Sequence, residues 1–246
     1  MSVLRAIAAA FSYFSLLPVR SFASAPNDAV IAWLPLVGLA IGAIAGLLGT
    51  AVFWYAHSLV WAIVVALVAS VALSGAIHID GYLDCCDALL MTASPERRLD
   101  VLRDPRHGTY ALVGMALLTV VWLAALAGIY PQYFPFALVF AAVTARASIV
   151  SLPGQYVHAR NGSRFDACRW YGAEWFVVLL VAAFAITRTW QSIALVVGAF
   201  LLAQVLALVS SRRLGGGLTG DVYGAIITVT EVALLIALPW SGVLPR

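Results

Sequence analysis

Trp33-Leu34-Pro35-Leu36-Val37-Gly38-Leu39-Ala40-Ile41-Gly42-Ala43-Ile44-Ala45-Gly46-Leu47-Leu48-Gly49-Thr50-Ala51-Val52-Phe53-Trp54-Tyr55 runs without one charged side chain. A helix rises about 1.5 Å per residue and the hydrocarbon core of a bilayer is about 30 Å thick, so about twenty such residues make one crossing. Six later stretches repeat the pattern: approximately Leu59–Ile77, Thr109–Ile129, Phe134–Leu152, Ala173–Ile186, Ser192–Ser210 and Val222–Trp240, with Ala173–Ile186 short for a span. At 63% hydrophobic and 10% charged, with a mean hydropathy of +1.00, the chain cannot hide its apolar surface in one soluble core, and lipid must solvate much of it. The expected fold is all-α: a polytopic integral membrane protein of about seven transmembrane helices. No polar block is long enough for a separate globular module, so residues 1–246 are expected to form a single transmembrane domain.

Leu4 to Leu17 is apolar over too short a length to cross, and Pro18 ends any helix there. Arg5 is the only early charge and no small-x-small cleavage site precedes Pro18, so a short interfacial or re-entrant helix is expected rather than a cleaved signal peptide. The formal charge of +3 comes from arginine alone, since the chain has no lysine. With the N-terminus inside, Arg5, Arg20, Arg97, Arg98, Arg103, Arg106, Arg160, Arg164, Arg169, Arg212 and Arg213 face the cytoplasm, and Arg188 and Arg246 face out. That asymmetry predicts N-in, and it explains the basic balance as membrane orientation rather than nucleic-acid binding. The same topology puts the polar loops of about 74–108, 153–172 and 211–221 on the cytoplasmic side. Cys85, Cys86 and Cys168 are odd in number and lack CxxC spacing, so they read as small apolar fillers.

Acids are scarce except in His78-Ile79-Asp80-Gly81-Tyr82-Leu83-Asp84-Cys85-Cys86-Asp87. On a continuing helix, Asp84 and Asp87 lie roughly 40° and about 20° from Asp80 around the axis, so the three carboxylates share a face. Like charges so placed repel, and a cation that neutralises them makes sense of the set; oxygen-only ligands point to Mg²⁺ or Mn²⁺. A solvated helix face is the alternative, and it is less attractive beside an apolar span, where unpaired charge is costly. His78 points away from the acids on a continuous helix and approaches them only if the helix begins after it.

Two further segments carry charge. In Arg97 to Thr109, Asp104 is a candidate fourth carboxylate, Arg103 and Arg106 are candidate phosphate ligands, and Gly108-Thr109 opens a helix whose free amides favour an anion. A positive-inside flank explains the same arginines equally well. In Arg212-Arg213-Leu214-Gly215-Gly216-Gly217-Leu218-Thr219-Gly220-Asp221, glycines let backbone amides approach a phosphate, although a tight turn would need them too. GxxxxGK[ST] is absent, which excludes a P-loop ATPase. Arg160, Asn161 and Arg164 on the middle loop extend the possible phosphate-binding surface. Arg146 and Glu231 fall inside spans, where ionisable groups pair or line a polar cavity, and each is a candidate partner for the other.

These motifs together resemble the cobalamin synthase family, the adenosylcobinamide-GDP ribazoletransferases. The resemblance runs in order through Phe14-Ser15-Leu16-Leu17-Pro18-Val19, Pro35-Leu36-Val37-Gly38, Gly75-Ala76-Ile77-His78-Ile79-Asp80-Gly81-Tyr82-Leu83-Asp84-Cys85-Cys86-Asp87, Arg103-Asp104-Pro105-Arg106-His107-Gly108-Thr109-Tyr110 and Gly216-Gly217-Leu218-Thr219-Gly220-Asp221-Val222-Tyr223-Gly224-Ala225. HxDGxxDxxD and TGDxxGA together are specific. The chain departs from the pattern at Ala88-Leu89, where a glycine usually follows the last acid, and at Pro105, where serine is common.

The resemblance implies a bacterial inner-membrane enzyme with its site facing the cytoplasm. Its substrates would be adenosylcobinamide-GDP and α-ribazole or α-ribazole 5′-phosphate. The acceptor's 3′-hydroxyl attacks the corrinoid-proximal phosphorus, GMP leaves, and adenosylcobalamin or its 5′-phosphate forms. It further implies that Asp80, Asp84 and Asp87 hold Mg²⁺ on the diphosphate. Asp104 and Asp221 would be further ligands or the acceptor's base, and His78 would orient or deprotonate the ribose hydroxyl. Arg103, Arg106, Arg212 and Arg213 would stabilise phosphate charge. The candidate substrate-binding set also takes in Thr109, Arg146, Arg160, Gly216, Gly217, Thr219, Gly220 and Glu231.

A CDP-alcohol phosphatidyltransferase is the nearest rival, but it needs an Ala-Arg pair soon after Asp-Gly and then GxxxDxxxD, where this chain has Asp84-Cys85-Cys86-Asp87. An ion-coupled transporter would place its acids near mid-membrane within repeated halves; here they sit at a span's edge and no repeat is evident. The glycine stripe Gly38, Gly42, Gly46 and Gly49 fits either a homodimer surface or internal helix packing.

Overall fold

The computed structural model describes residues 2–19 and 27–244; Arg20 and Arg246, two of the arginines that bear on orientation, lie outside the described residues. Helix α1 (Val3–Phe14) comes first, followed by the turn α2 (Asp28–Ile31) and the long α3 (Leu34–Ala56). Next are α4 (Leu59–Leu73), α5 (Ile77–Leu90) and the short α6 (Pro95–Val101). Helices α7 (Thr109–Ala127) and α8 (Phe134–Val150), the turn α9 (Leu152–Gln155), α10 (Cys168–Thr187), α11 (Trp190–Arg213) and α12 (Gly220–Ser241) complete the fold. Among the described residues the protein is all-α apart from two dipeptide strands, β1 (Val157–His158) and β2 (Gly217–Leu218), which pair in parallel.

Among the described residues, six helical segments are long and apolar enough to cross a membrane, and α4 with α5 makes a seventh if that bent pair counts as one span. The expected second span, Leu59–Ile77, is therefore corrected: the helix stops at Leu73 and the chain turns by 87° into α5. Gly75 and Ala76 both take left-handed φ, at 63° and 57°, and their amides bond back to Ala72 and Val71. Two successive left-handed residues end a helix by satisfying its last carbonyls. In consequence most of 74–108, expected as a loop, is helical, and the acids ride on a helix of their own. The expected short fifth span is also corrected, since α10 includes Cys168–Tyr171 and runs for 20 residues.

The glycine stripe serves internal packing. A Cβ on Gly38 or Gly42 would stand 2.6 Å from a backbone carbonyl oxygen of α8, at Ala142 or Leu138, and one on Gly46 would meet Pro135 at 2.5 Å. Small residues thus let α3 and α8 touch backbone to backbone, which is how helices associate where lipid offers no hydrophobic drive. Gly38 also leaves the room that the Arg146 side chain fills. Helix α1 packs Ala9 and Ala10 against Val30, Val37 and Ile41 and leaves Val3 and Leu4 exposed.

Candidate active site

Helix α5 places the acidic cluster, and Gly81 sets its depth. A Cβ on Gly81 would lie 2.6 Å from the Asp221 carbonyl oxygen, so α5 and the first turn of α12 meet at their backbones. Asp84 consequently stands within electrostatic reach of Asp80, Asp87 and Asp221. His107, just before α7, reaches back between two of them: its Nδ1 lies 3.6 Å from Asp84 Oδ1 and its Nε2 3.9 Å from Asp80 Oδ1. The Asp80 side chain is 66% exposed and that of Asp84 17%, so one acid of the pair opens outward and the other is screened.

Asp87 has a different setting. It accepts the Gly108 amide at 2.5 Å and the Ala111 amide at 3.0 Å, occupying both oxygens at the start of α7. Orphan amides and the positive end of a helix dipole favour a carboxylate there. Gly108 is required by this contact, because a Cβ would approach Asp87 Oδ1 to 2.9 Å. Thr109, the first residue of α7, is exposed beside it.

A second group joins the middle loop to the glycine-rich loop. Strands β1 and β2 pair Val157 with Gly217 and His158 with Leu218, and Gly217 has no room for a Cβ against Ala159 and Val157. Gly215 and Gly216 take φ of 82° and 111°, which turn the chain out of α11 toward that pairing. Asp221 then receives Thr219 Oγ1 at 3.1 Å and Arg160 at 3.4 Å, both on Oδ2. Arg160 also donates to the Leu102 carbonyl at 3.1 Å, tying three polar segments together. Gly220 begins α12 beside these groups.

Asp80 and Asp221 open onto a cavity of about 400 Å³. His78, His158, Asn161, Ser163 and Tyr223 add to its polar lining, and Phe14, Ile31, Leu34, Ile77, Ile149 and Ile227 form an apolar wall with the ring of Tyr13. His78 lies within α5, is buried, and faces Phe14 with the rings 25° from parallel; its Nε2 has no hydrogen-bond partner among the described residues. His158 donates its backbone amide to the Ser163 carbonyl at 2.7 Å and accepts the Arg160 backbone amide on Nδ1 at 3.3 Å, and burial followed by the Arg160 charge holds its pKa below the ordinary value.

The other charges are engaged elsewhere. Arg106 grips Asp104 through two 2.9 Å bonds, and the pair lies outside the cavity lining; that grip pulls Asp104 down to about 2. Arg213 donates to the Leu89 carbonyl, and Arg98 to Ala88 and Leu89 at 2.8 Å each, so two arginines cap the C-terminus of α5. Arg103 and Arg212 are exposed. Arg146 and Glu231 pair at 2.9 Å, both buried, away from the cavity lining. His107 and His158 lie outside the candidate residues that spacing and motif single out. The signal available was scarcity, since the chain holds four histidines and two of them sit in polar segments flanking candidate acids.

The donor set fits a magnesium ion that is shared with a substrate. Among the described residues no three His, Cys, Asp or Glu side chains converge to hold a metal by themselves. Magnesium is usually bound by one or two carboxylates, with waters and substrate phosphate oxygens completing its shell. Asp80 and Asp84 supply that many, and the nearby thiols are buried.

The chain matches the cobalamin-5-phosphate synthase family over residues 6–239. An adenosylcobinamide-GDP ribazoletransferase of Deinococcus radiodurans is 35% identical over 246 residues, covering 96% of this chain and 86% of the relative. One of Azorhizobium caulinodans is 37% identical and covers 95% of each chain. One of Clostridium novyi is 27% identical over 92% of this chain and 93% of its own. No solved structure matches.

Proposed function

This chain belongs to the cobalamin-5-phosphate synthase family, and we propose that its acidic end carries out the transfer for which its relatives are named. It is a membrane-embedded transferase of late cobalamin biosynthesis that joins α-ribazole, or its 5′-phosphate, to adenosylcobinamide-GDP. The acceptor's 3′-hydroxyl oxygen forms a bond to the corrinoid-proximal phosphorus. The bridging P–O bond to GMP breaks and GMP departs with the electron pair, while the hydroxyl proton passes to a base.

One observation carries the reading of the site: the Gly81 contact gathers Asp80, Asp84 and Asp221 beside His107 at the mouth of a cavity. Phosphoryl transfer asks little of a protein beyond placement and charge neutralisation. Asp80 and Asp84 would hold Mg²⁺, which when bound offsets diphosphate charge and the charge that develops on GMP. Asp221 is suited to the base role, because Thr219 and Arg160 both bond to Oδ2 and orient the carboxylate while Oδ1 is left for the hydroxyl. Asp87 positions the start of α7 and with it His107. Arg103 and Arg212, both exposed, would meet phosphate, and Arg213, bonded to the Leu89 carbonyl, holds the end of α5.

The site faces the cytoplasm on this reading, with the N-terminus inside the bacterial inner membrane, as the arginine distribution favours. The test is GMP release by protein in detergent or lipid, given adenosylcobinamide-GDP, α-ribazole and Mg²⁺. Formation of a cobalamin alongside GMP supports the reading; no product, or full activity in Asp84→Ala, overturns the assignment.

A further inference from the structure

The cavity beside the acids has a character of its own. Among the described residues no arginine lines it, its charged lining groups are the carboxylates Asp80 and Asp221, and most of the remainder is apolar or aromatic. A diphosphate would find no arginine among those lining groups, so the donor's charged end belongs on the side of Asp84, His107 and the exposed arginines, with the metal pair Asp80 and Asp84 between the two substrates. The volume of about 400 Å³ lies at the small end of pockets that enclose drug-sized ligands. That is suited to a nucleoside and far too small for a corrin macrocycle.

Two groups in the wall want a planar, nitrogen-bearing partner. Phe14 and His78 present rings 6.5 Å apart and 25° from parallel, one from α1 and one from α5. His78 is 7% exposed, and its Nε2 is buried without a hydrogen-bond partner among the described residues. Buried polar atoms are nearly always satisfied, and exceptions point to a ligand or another role. α-Ribazole has an uncharged benzimidazole with one free ring nitrogen, which accepts a hydrogen bond at the edge of an otherwise apolar plane.

We propose that this cavity is the acceptor subsite, in which the benzimidazole of α-ribazole lies against Phe14 and accepts a hydrogen bond from His78 Nε2, with the ribose directed to Asp80 and Asp221. His78 thus recognises the base rather than deprotonating the hydroxyl. Helix α1 is part of the binding site, since it supplies Tyr13 and Phe14 to the wall. The inference rests on the transferase reading above and adds which substrate enters which side.

The test is steady-state GMP release with each substrate varied in turn, for the wild type, Phe14→Ala and His78→Gln, with Phe14→Leu as a milder variant and monodispersity checked by gel filtration. The KM for α-ribazole is expected to rise about tenfold in Phe14→Ala and in His78→Gln, while the KM for adenosylcobinamide-GDP stays within about twofold. An α-riboside of 5,6-dimethylindole keeps the shape and lacks the ring nitrogen. The wild type should disfavour it about tenfold against α-ribazole, and His78→Gln should not discriminate. A rise confined to the donor's KM, or discrimination that survives in His78→Gln, overturns the proposal and leaves the transferase reading standing. No GMP from wild type with any acceptor overturns both.

Discussion

Gly81 of α5 lies against the carbonyl of Asp221 on α12, so closely that a Cβ would stand 2.6 Å from that oxygen. A glycine in a helix interior ordinarily costs about 1 kcal/mol against alanine, so Gly→Ala there tends to stabilise. Here the sign reverses, because the two backbones must part to admit the methyl group, and they carry the acids proposed to act on the substrate. Displacing a catalytic group by about 1 Å costs roughly a hundredfold. Gly81→Ala is expected to lose about that much GMP release and to melt lower, whereas Gly198→Ala on α11, with nothing within 4 Å, should do neither. Equal activity in Gly81→Ala and the wild type would show that the contact does not set the site.

Arg146 and Glu231 join α8 to α12 behind the cavity, with side chains 3% and 7% exposed. Removing one partner of a buried pair leaves the other charge uncompensated, at about 3–5 kcal/mol, while replacing both by apolar groups is often neutral. Arg146→Met and Glu231→Leu should each lower the melting temperature sharply in detergent, and the double variant should recover most of the loss. Additive losses would mean that the two charges are not coupled.

Hydropathy made most of this fold legible, since a crossing helix must be apolar over its whole length. The break at Gly75-Ala76 was not legible, because the apolar run continues through it to Ile77 and only the backbone turns. The common face of Asp80, Asp84 and Asp87 follows from helical spacing. Their division does not: the amides that occupy Asp87 come from Gly108 and Ala111, more than twenty positions on, and only tertiary packing brings them there. Arg213 is a similar case, for its local sequence resembles a phosphate clamp and its guanidinium bonds to the Leu89 carbonyl of another helix.

His158 gives the fold a pH dependence. Burial, then the Arg160 charge, lowers its pKa in the folded protein below the ordinary 6.5. The unfolded chain therefore binds the proton more readily. The contribution of His158 to stability is fully present above about 6.5 and is lost as pH falls from there through the folded value. The melting temperature should drop as pH falls below about 6.5, and part of that drop should vanish in His158→Gln. Identical pH slopes for the two proteins would remove His158 as the cause.

Asp84 and Asp87 stand one helical turn apart and are expected to fail in opposite ways when neutralised. Asp84 faces His107 and among the described residues has no backbone amide bonded to its carboxylate, so Asp84→Asn removes charge from the place where a magnesium-bound diphosphate would sit. Its fold should hold, while GMP release falls by about two orders of magnitude or more and the Mg²⁺ concentration for half-maximal activity rises. Asp87 gives both oxygens to the first amides of α7, so Asp87→Asn exchanges a charged cap for a neutral one that can satisfy only part of that work. A cost of about 1–2 kcal/mol follows, read as a lower melting temperature, with the Mg²⁺ requirement unchanged. If Asp87→Asn instead shifts the Mg²⁺ requirement as far as Asp84→Asn does, Asp87 leaves the amides to join the metal when substrate binds, and the start of α7 must move with it.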